Sequence, residues 1–164
     1  MKTLAIIRHG KSSWEDPTLS DRQRPLLQKG KNRTKKIGQY LREVNLIADA
    51  FISSPAERAK QTAVIIANIL EYDIDDILLE EEFYFDGSKA IINTILNFDN
   101  QWNTVFIFGH NPDFTSVSKY FSPKENFFYL PTTGTVILDF NINKWKEISP
   151  ENCVNSNIIF PRNL

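Results

Sequence analysis

Cysteine is almost missing from this 164-residue chain, in which Cys153 stands alone. A single thiol excludes an internal disulfide and a cysteine-rich metal site, and it suits a reducing compartment. Cys153 lies near the end of the sequence with no histidine beside it, and reads as structural or incidental. Neither sign of charge dominates. Nineteen basic residues face twenty acidic ones, a net charge of −1, so nothing global draws the chain to nucleic acid or to an anionic membrane. Any anion it handles must be met by a local cluster of positive groups. Long hydrophobic runs are lacking too. The opening MKTLAIIRHG has one lysine and then five residues before an arginine, too short for a signal-peptide core or a membrane span, and cytoplasm is the expected location. There is no repeat, linker or low-complexity segment. The length and the 41% apolar content fit one domain over 1–164 with a real core.

What is present alternates between two periods. Residues 3–7 are a short apolar run, as in a strand covered on both faces. Over 27–44 Ile37, Tyr40, Leu41 and Val44 fall at helical spacing. The basic residues between them (Lys29, Lys31, Arg33, Lys35, Lys36) form either a basic patch or, on ordinary base rates, a solvated helix face. Residues 50–53 read as a second strand running into Ser54-Pro55-Ala56-Glu57. That tetrapeptide has the form of a helix start, with Ser54 as N-cap, Pro55 first in the helix and Glu57 completing a capping box. Ala59, Ala63, Ile66, Ala67 and Leu70 mark its buried face. A brief strand at 77–79, an acidic and aromatic stretch at 80–87 and a helix over 89–96 follow. Residues 104–108 are the most strand-like run, and Asn111-Pro112 repeats the cap-then-proline start for a helix over 113–121. Residues 136–140 and 145–148 look like a closing hairpin, and those from 152 onward carry no clear signal. The expected fold is α/β: a three-layer sandwich with a mostly parallel central sheet, helices on both faces and a C-terminal antiparallel hairpin or edge.

The chain has two histidines, and each follows a strand and touches a glycine: Arg8-His9-Gly10 and Gly109-His110-Asn111. Ligands of open α/β sheets bind beyond the carboxyl ends of strands, and glycine there lets the backbone turn sharply and approach a ligand. Arg8 precedes His9, and Arg58 lies in the first turn of the helix after Ser54. A helix N-terminus favours phosphate, and guanidinium holds its oxygens bidentately. One histidine at a strand end is ordinary structure. Both histidines so placed, with two arginines, point to a phosphate site.

Together Arg8-His9-Gly10, Arg24-Pro25-Leu26 with Gly30, Ser53-Ser54-Pro55 with Arg58-Ala59 and Gln61-Thr62, and Gly109-His110-Asn111-Pro112 resemble the histidine phosphatase superfamily, the phosphoglycerate-mutase-like group. The short "RPL…G" and "SSPxxRAxQT" elements look most like its small SixA-type phosphohistidine phosphatases. The resemblance implies His9 as the nucleophile and Arg8, Arg58 and His110 as the rest of the phosphate pocket. It implies no cofactor and no metal. His9 must be neutral to attack phosphorus, and flanking arginines disfavour its charged form. A bond from its other ring nitrogen to a backbone carbonyl would aim the free one.

In the mutase and acid-phosphatase branches a carboxylic acid protonates the leaving oxygen. The candidates here are Glu80, Glu81, Glu82 and Asp86, with Glu82 nearest the family's position, although three consecutive glutamates also suit a solvated turn. The SixA-type branch manages without such an acid, in keeping with a labile P–N bond. Glu15 stands where mutases have an asparagine, and is expected to point away from phosphate. Ser13 offers a hydroxyl or a turn. The short 58–110 interval leaves little lid, which suits an open pocket for a phosphorylated protein, with Phe83, Tyr84 and Phe85 as an apolar rim or core. The expected activity is therefore hydrolysis of protein phosphohistidine through a phosphorylated His9. The alternatives are a small-molecule phosphomonoesterase using Glu82, and a non-catalytic phosphate-binding regulatory module. Substrate identity and oligomeric state are not legible.

Overall fold

Successive side chains of a strand point to opposite faces of its sheet, and β1 (Lys2–Arg8) shows what that requires here. Leu4 and Ile6 join one hydrophobic cluster, Ala5 and Ile7 a second on the other side. The computed structural model describes residues 1–123, 125 and 129–164. Along them follow α1 (Gln28–Glu43), β2 (Ala50–Ser53), α2 (Glu57–Ile69), β3 (Leu78–Leu79), α3 (Ser88–Leu96), β4 (Thr104–Gly109), α4 (Asp113–Phe121), β5 (Thr135–Phe140) and β6 (Cys153–Ile159). The strands form one sheet in the order β3-β2-β4-β1-β5-β6. β3, β2, β4 and β1 are parallel, and β5 and β6 close the sheet antiparallel.

Strand order decides which face each helix covers. From β1 to β2 to β3 the chain moves toward one edge, so right-handed crossovers put α1 and α2 on the same face. Ile37 and Leu41 of α1 and Ala63, Ile66 and Ala67 of α2 pack there on Ala5, Ile7, Phe51, Phe106 and Phe108. From β3 the chain turns back to the parallel β4, and the same handedness puts α3 on the opposite face, where α4 joins it before the antiparallel β5. Ile91, Ile95, Phe114, Val117 and Phe121 cover Leu4, Ile6, Val105 and Ile107. The α/β three-layer architecture is thus the expected one. No helix among the described residues is long and apolar enough to cross a membrane.

Two expectations need correction. The strand pairing with β5 is Cys153–Ile159, not 145–148, which form a single helical turn with Trp145 buried beneath it. The indole of Trp145 packs edge-on to Phe98 and donates to the Trp102 carbonyl at 2.9 Å, so its apolarity serves the core rather than a ladder. β6 was silent because it is an edge strand whose Val154, Asn155 and Asn157 face water. Second, α2 begins at Glu57 with Ala56 as N-cap, and Ser54 is left outside the helix.

The loop after β1 is clamped to α1. Leu27 N–H donates to the Lys11 carbonyl at 2.9 Å, and Ser12 bridges Leu26. Gly30 makes that approach possible, since a Cβ there would lie 2.3 Å from the Lys11 carbonyl oxygen. Gly30→Ala should gain about 1 kcal/mol of helix propensity but lose more to this backbone clash. We expect a net destabilisation of about 2 kcal/mol, read as a lower urea midpoint; a stabilised variant would contradict the packing described.

Candidate active site

The carboxyl ends of β1, β4 and β2 lie side by side, so three sequence-distant loops meet at one edge. His9 N–H donates to the Gly109 carbonyl (3.0 Å), Ser54 N–H to the Phe108 carbonyl (2.9 Å) and Thr133 N–H to the His9 carbonyl (3.1 Å). Arg8, His9, Arg58 and His110 thereby line one cavity of about 380 Å³, shared with Lys11, Ser12, Trp14, Asp21, Arg24, Phe85, Asn111 and Thr132. The two imidazoles lie 5.0 Å apart, centroid to centroid. All four residues singled out for the phosphate pocket are brought together.

His9 Nδ1 lies 2.6 Å from the Gly10 carbonyl. A carbonyl only accepts, so the ring proton sits on Nδ1 and Nε2 keeps its lone pair. Burial is the main reason that the pKa of His9 falls to about 3; the Gly10 bond opposes this, and Arg58, Arg8 and Arg24 add to it. The arginines are therefore the lesser cause of its neutrality, behind desolvation. His110 falls to about 2 through burial, then through His9 and Arg58. Both rings are neutral at physiological pH.

Ser54, expected to cap α2, instead places its hydroxyl 2.8 Å from His110 Nε2. Its oxygen already accepts from Ala56 N–H at 3.2 Å, so its proton is free for Nε2, and the ring proton of His110 then sits on Nδ1. Among the described side chains, the buried nitrogens without a partner are His110 Nδ1, Arg8 Nε and Arg58 Nε. Each such N–H costs about 1–3 kcal/mol. All three residues line the same cavity, whose wall of donors suits an oxyanion.

Each guanidinium is also held from its Nη side. Arg8 Nη1 donates to the Leu130 carbonyl at 3.0 Å. Arg58, only 2% exposed, donates to the Asp21 carbonyl (2.6 Å) and carboxylate (3.0 Å). Arg24 donates to the same carboxylate at 3.0 Å and to Ser12 Oγ at 2.9 Å. Partial burial pushes the Asp21 carboxyl up, but bonds from Tyr84, Arg58 and Arg24 outweigh it and hold it well below the usual carboxylate range. Four cations (Arg8, Lys11, Arg24, Arg58) thus face one ionised carboxylate. Among the described residues no group of three His, Cys, Asp or Glu is arranged to hold a metal.

Other candidates lie elsewhere. Glu82 accepts from Thr94 Oγ1 and, with Glu80, lines a separate cavity beside Asn93 and Trp102. Glu81 pairs with Arg22 at 2.7 Å, and Asp86 is exposed outside the cavity lining. The triple-glutamate turn is thus placed away from His9. Glu15 is exposed, and Ser13 Oγ accepts its N–H, so Ser13 serves a turn while Ser12 reaches the cavity. Phe83 is core, while Phe85 is at the rim. The glycines beside the histidines serve packing rather than a sharp turn. A Cβ on Gly109 would lie 2.4 Å from the Phe114 ring, and one on Gly10 2.9 Å from Thr34 Oγ1.

Asp21, Ser54 and Ser12 escaped the sequence reading. Asp21 carries one signal, its position three residues before Arg24, and Ser54 reads as a cap because Ser-Pro so often opens a helix.

The sequence profile of the histidine phosphatase superfamily (branch 1) matches residues 4–110. An uncharacterised chloroplastic protein of Arabidopsis thaliana is 26% identical over 154 residues, 89% of this chain and 70% of that protein. The structure of the protein histidine phosphatase SixA complexed with tungstate matches with a TM-score of 0.80 at 17% identity, over 98% of each chain. A phosphoserine phosphatase of Entamoeba histolytica, in complex with 3-phosphoglyceric acid, matches with a TM-score of 0.64 at 18% identity, over 96% of this chain and 97% of that one. These structural likenesses speak to the fold.

The two histidines make a pH prediction. Their native pKa values, about 3 and about 2, lie below the unfolded value of about 6.5. Unfolding takes up protons in that window, so stability is full above pH ~6.5 and is lost as pH falls. Between pH 7 and 5 the loss should be about 2 kcal/mol per histidine. Urea denaturation in phosphate-free buffer reads it, and His110→Asn should halve the drop. A pH-independent unfolding free energy would show that these rings are not buried neutral.

Proposed function

The chain belongs to the histidine phosphatase superfamily, branch 1, and on that premise we propose that it is a phosphatase that takes a phosphoryl group onto His9 Nε2 and passes it to water, with protein phosphohistidine as substrate. The observation that carries this reading is the bond from His9 Nδ1–H to the Gly10 carbonyl. It selects the tautomer whose free nitrogen is a nucleophile, beside unpaired N–H groups of Arg8, Arg58 and His110.

Phosphoryl transfer is in line through a loose transition state, so positioning and charge neutralisation do most of the work. Arg8 and Arg58 neutralise the equatorial oxygens, and His110 donates one further hydrogen bond. As His9 Nε2 bonds to phosphorus, the P–N bond of the substrate breaks and its electron pair returns to the ring nitrogen. A substrate ring protonated by solvent on its other nitrogen leaves as neutral imidazole. The same holds for the second step. His9 retains its Nδ1 proton on the Gly10 carbonyl, so attack by water releases neutral His9.

The phosphohistidine reading rather than the ester reading is favoured by the acid chemistry. An ester oxygen leaves well only with a proton, commonly worth 10²–10⁴-fold. Asp21, the one carboxylate among the described residues lining the cavity, is held ionised by Tyr84, Arg58 and Arg24, and Glu82 lines a separate cavity. The likeness in fold to SixA, a protein histidine phosphatase, is in keeping with this reading.

The test is turnover of a phosphohistidine peptide against a panel of phosphate esters. The peptide should be preferred, with acid-labile, base-stable ³²P trapped on wild-type protein and none on His9→Ala. Glu82→Gln should alter peptide turnover less than about twofold, below the general-acid scale. Full activity in His9→Ala would overturn the mechanism, and a hundredfold loss in Glu82→Gln would restore the ester reading.

A further inference from the structure

Resting on the phosphohistidine reading, we propose that Phe85 and Trp14 form a leaving-group subsite for a planar nitrogen heterocycle, the imidazole ring of the substrate, at the mouth of the His9 cavity. Both line the cavity, yet Phe85 is 48% and Trp14 75% exposed. Neither aromatic side chain is there to fill the core.

The stretch 83–85 divides its labour. Phe83 is fully buried, and the Tyr84 hydroxyl donates to Asp21 at 2.5 Å. Phe85 instead sets its ring 4.6 Å from that of His110, inclined by 31°. Its φ of +62° lies in the left-handed region, which a bulky residue occupies at a cost of a sort found at ligand clamps. Packed on His110 and Tyr84 along one side, the ring leaves its other side open at the cavity mouth, a placement that suits a ligand. On the Trp14 side, the Arg24 guanidinium covers the indole at 3.4 Å, fixing the side chain while most of its surface stays open.

The direction of the chemistry suits these two walls. The cations and His9 hold the phosphoryl group at the base of the cavity, and in-line attack from His9 expels the leaving group on the far side of phosphorus. The ring of a phosphoimidazole protonated on its distal nitrogen is flat and cationic, and aromatic faces attract such rings. The protonated form is also the one that departs as neutral imidazole. An ammonia or alkyl leaving group offers no ring to stack.

The experiment compares kcat/KM for a phosphohistidine peptide with that for phosphoramidate, whose P–N bond releases ammonia. The ratio of the two should fall about tenfold in Phe85→Gly, the scale of one good ring contact. It should be restored in Phe85→Tyr and fall also in Trp14→Leu. Glycine accepts φ of +62°, so the melting temperature of Phe85→Gly should not drop. Equal losses on both substrates, or an unchanged ratio, would overturn the subsite while leaving the phosphatase reading intact. Wild-type protein that cleaves neither substrate would overturn the phosphatase reading itself, and the subsite with it.

Discussion

Arg58 is almost wholly buried, and a buried guanidinium must be answered by acceptors or it destabilises the protein around it. Among the described residues Asp21 supplies both acceptors of the Arg58 side chain, the backbone carbonyl and one carboxylate oxygen. The other carboxylate oxygen takes Arg24 from the 24–30 segment, and Tyr84 reaches in from the acidic loop. Three segments are therefore tied to one carboxylate, and Arg22 adds a fourth contact by lying over the Tyr84 ring at 4.8 Å. The compensation is incomplete in an informative way. Asp21 carries one negative charge against the cavity's Arg8, Lys11, Arg24 and Arg58, so the region retains positive charge. A doubly charged phosphoryl group is a natural complement to that surplus.

The same economy runs through α2. On successive turns of its first half Arg58 faces the cavity, Gln61 Oε1 accepts from Leu26 N–H (2.9 Å) and Thr62 Oγ1 accepts from Gly10 N–H (2.9 Å). One helix thus holds the loop after β1, the start of α1 and the cavity-lining Arg58 in mutual register. Gly30 allows the loop and α1 to touch backbone to backbone. Rigid positioning of this kind is what phosphoryl transfer rewards, because little of its barrier is lowered by anything else.

Neutrality of both imidazoles is a packing result before it is an electrostatic one. Desolvation is the largest cause for each, and the neighbouring arginines push the same way. A neutral His9 is nucleophilic, and a neutral His110 donates one N–H without adding a charge. The cost is a cavity poor in acidic protons, with both rings neutral and Asp21 ionised.

Much of the fold was written in local pattern. The run at residues 3–7, the 3.6 period around Ile37 and Leu41 and the strand ending at Gly109 follow from side-chain periodicity, which needs no tertiary information. The second partner of β5 was not, because an edge strand such as Cys153–Ile159 has no buried alternation to display, and Trp145 mimicked one. Arg8, His9, Arg58 and His110 were legible as chemical types at strand ends. That they meet follows from strand order, which puts β4 between β1 and β2 and lies outside any local window. Roles that depend on geometry alone could not be read at all: Ser54 orienting His110 rather than capping α2, Asp21 holding two arginines, Glu82 turned toward Thr94. The sequence by itself determined the kind of chemistry, because residue types and their motif order carry it. Only the tertiary structure decided which carboxylate shares the cavity and in which ionisation state, because burial and hydrogen-bond partners are properties of neighbours in space.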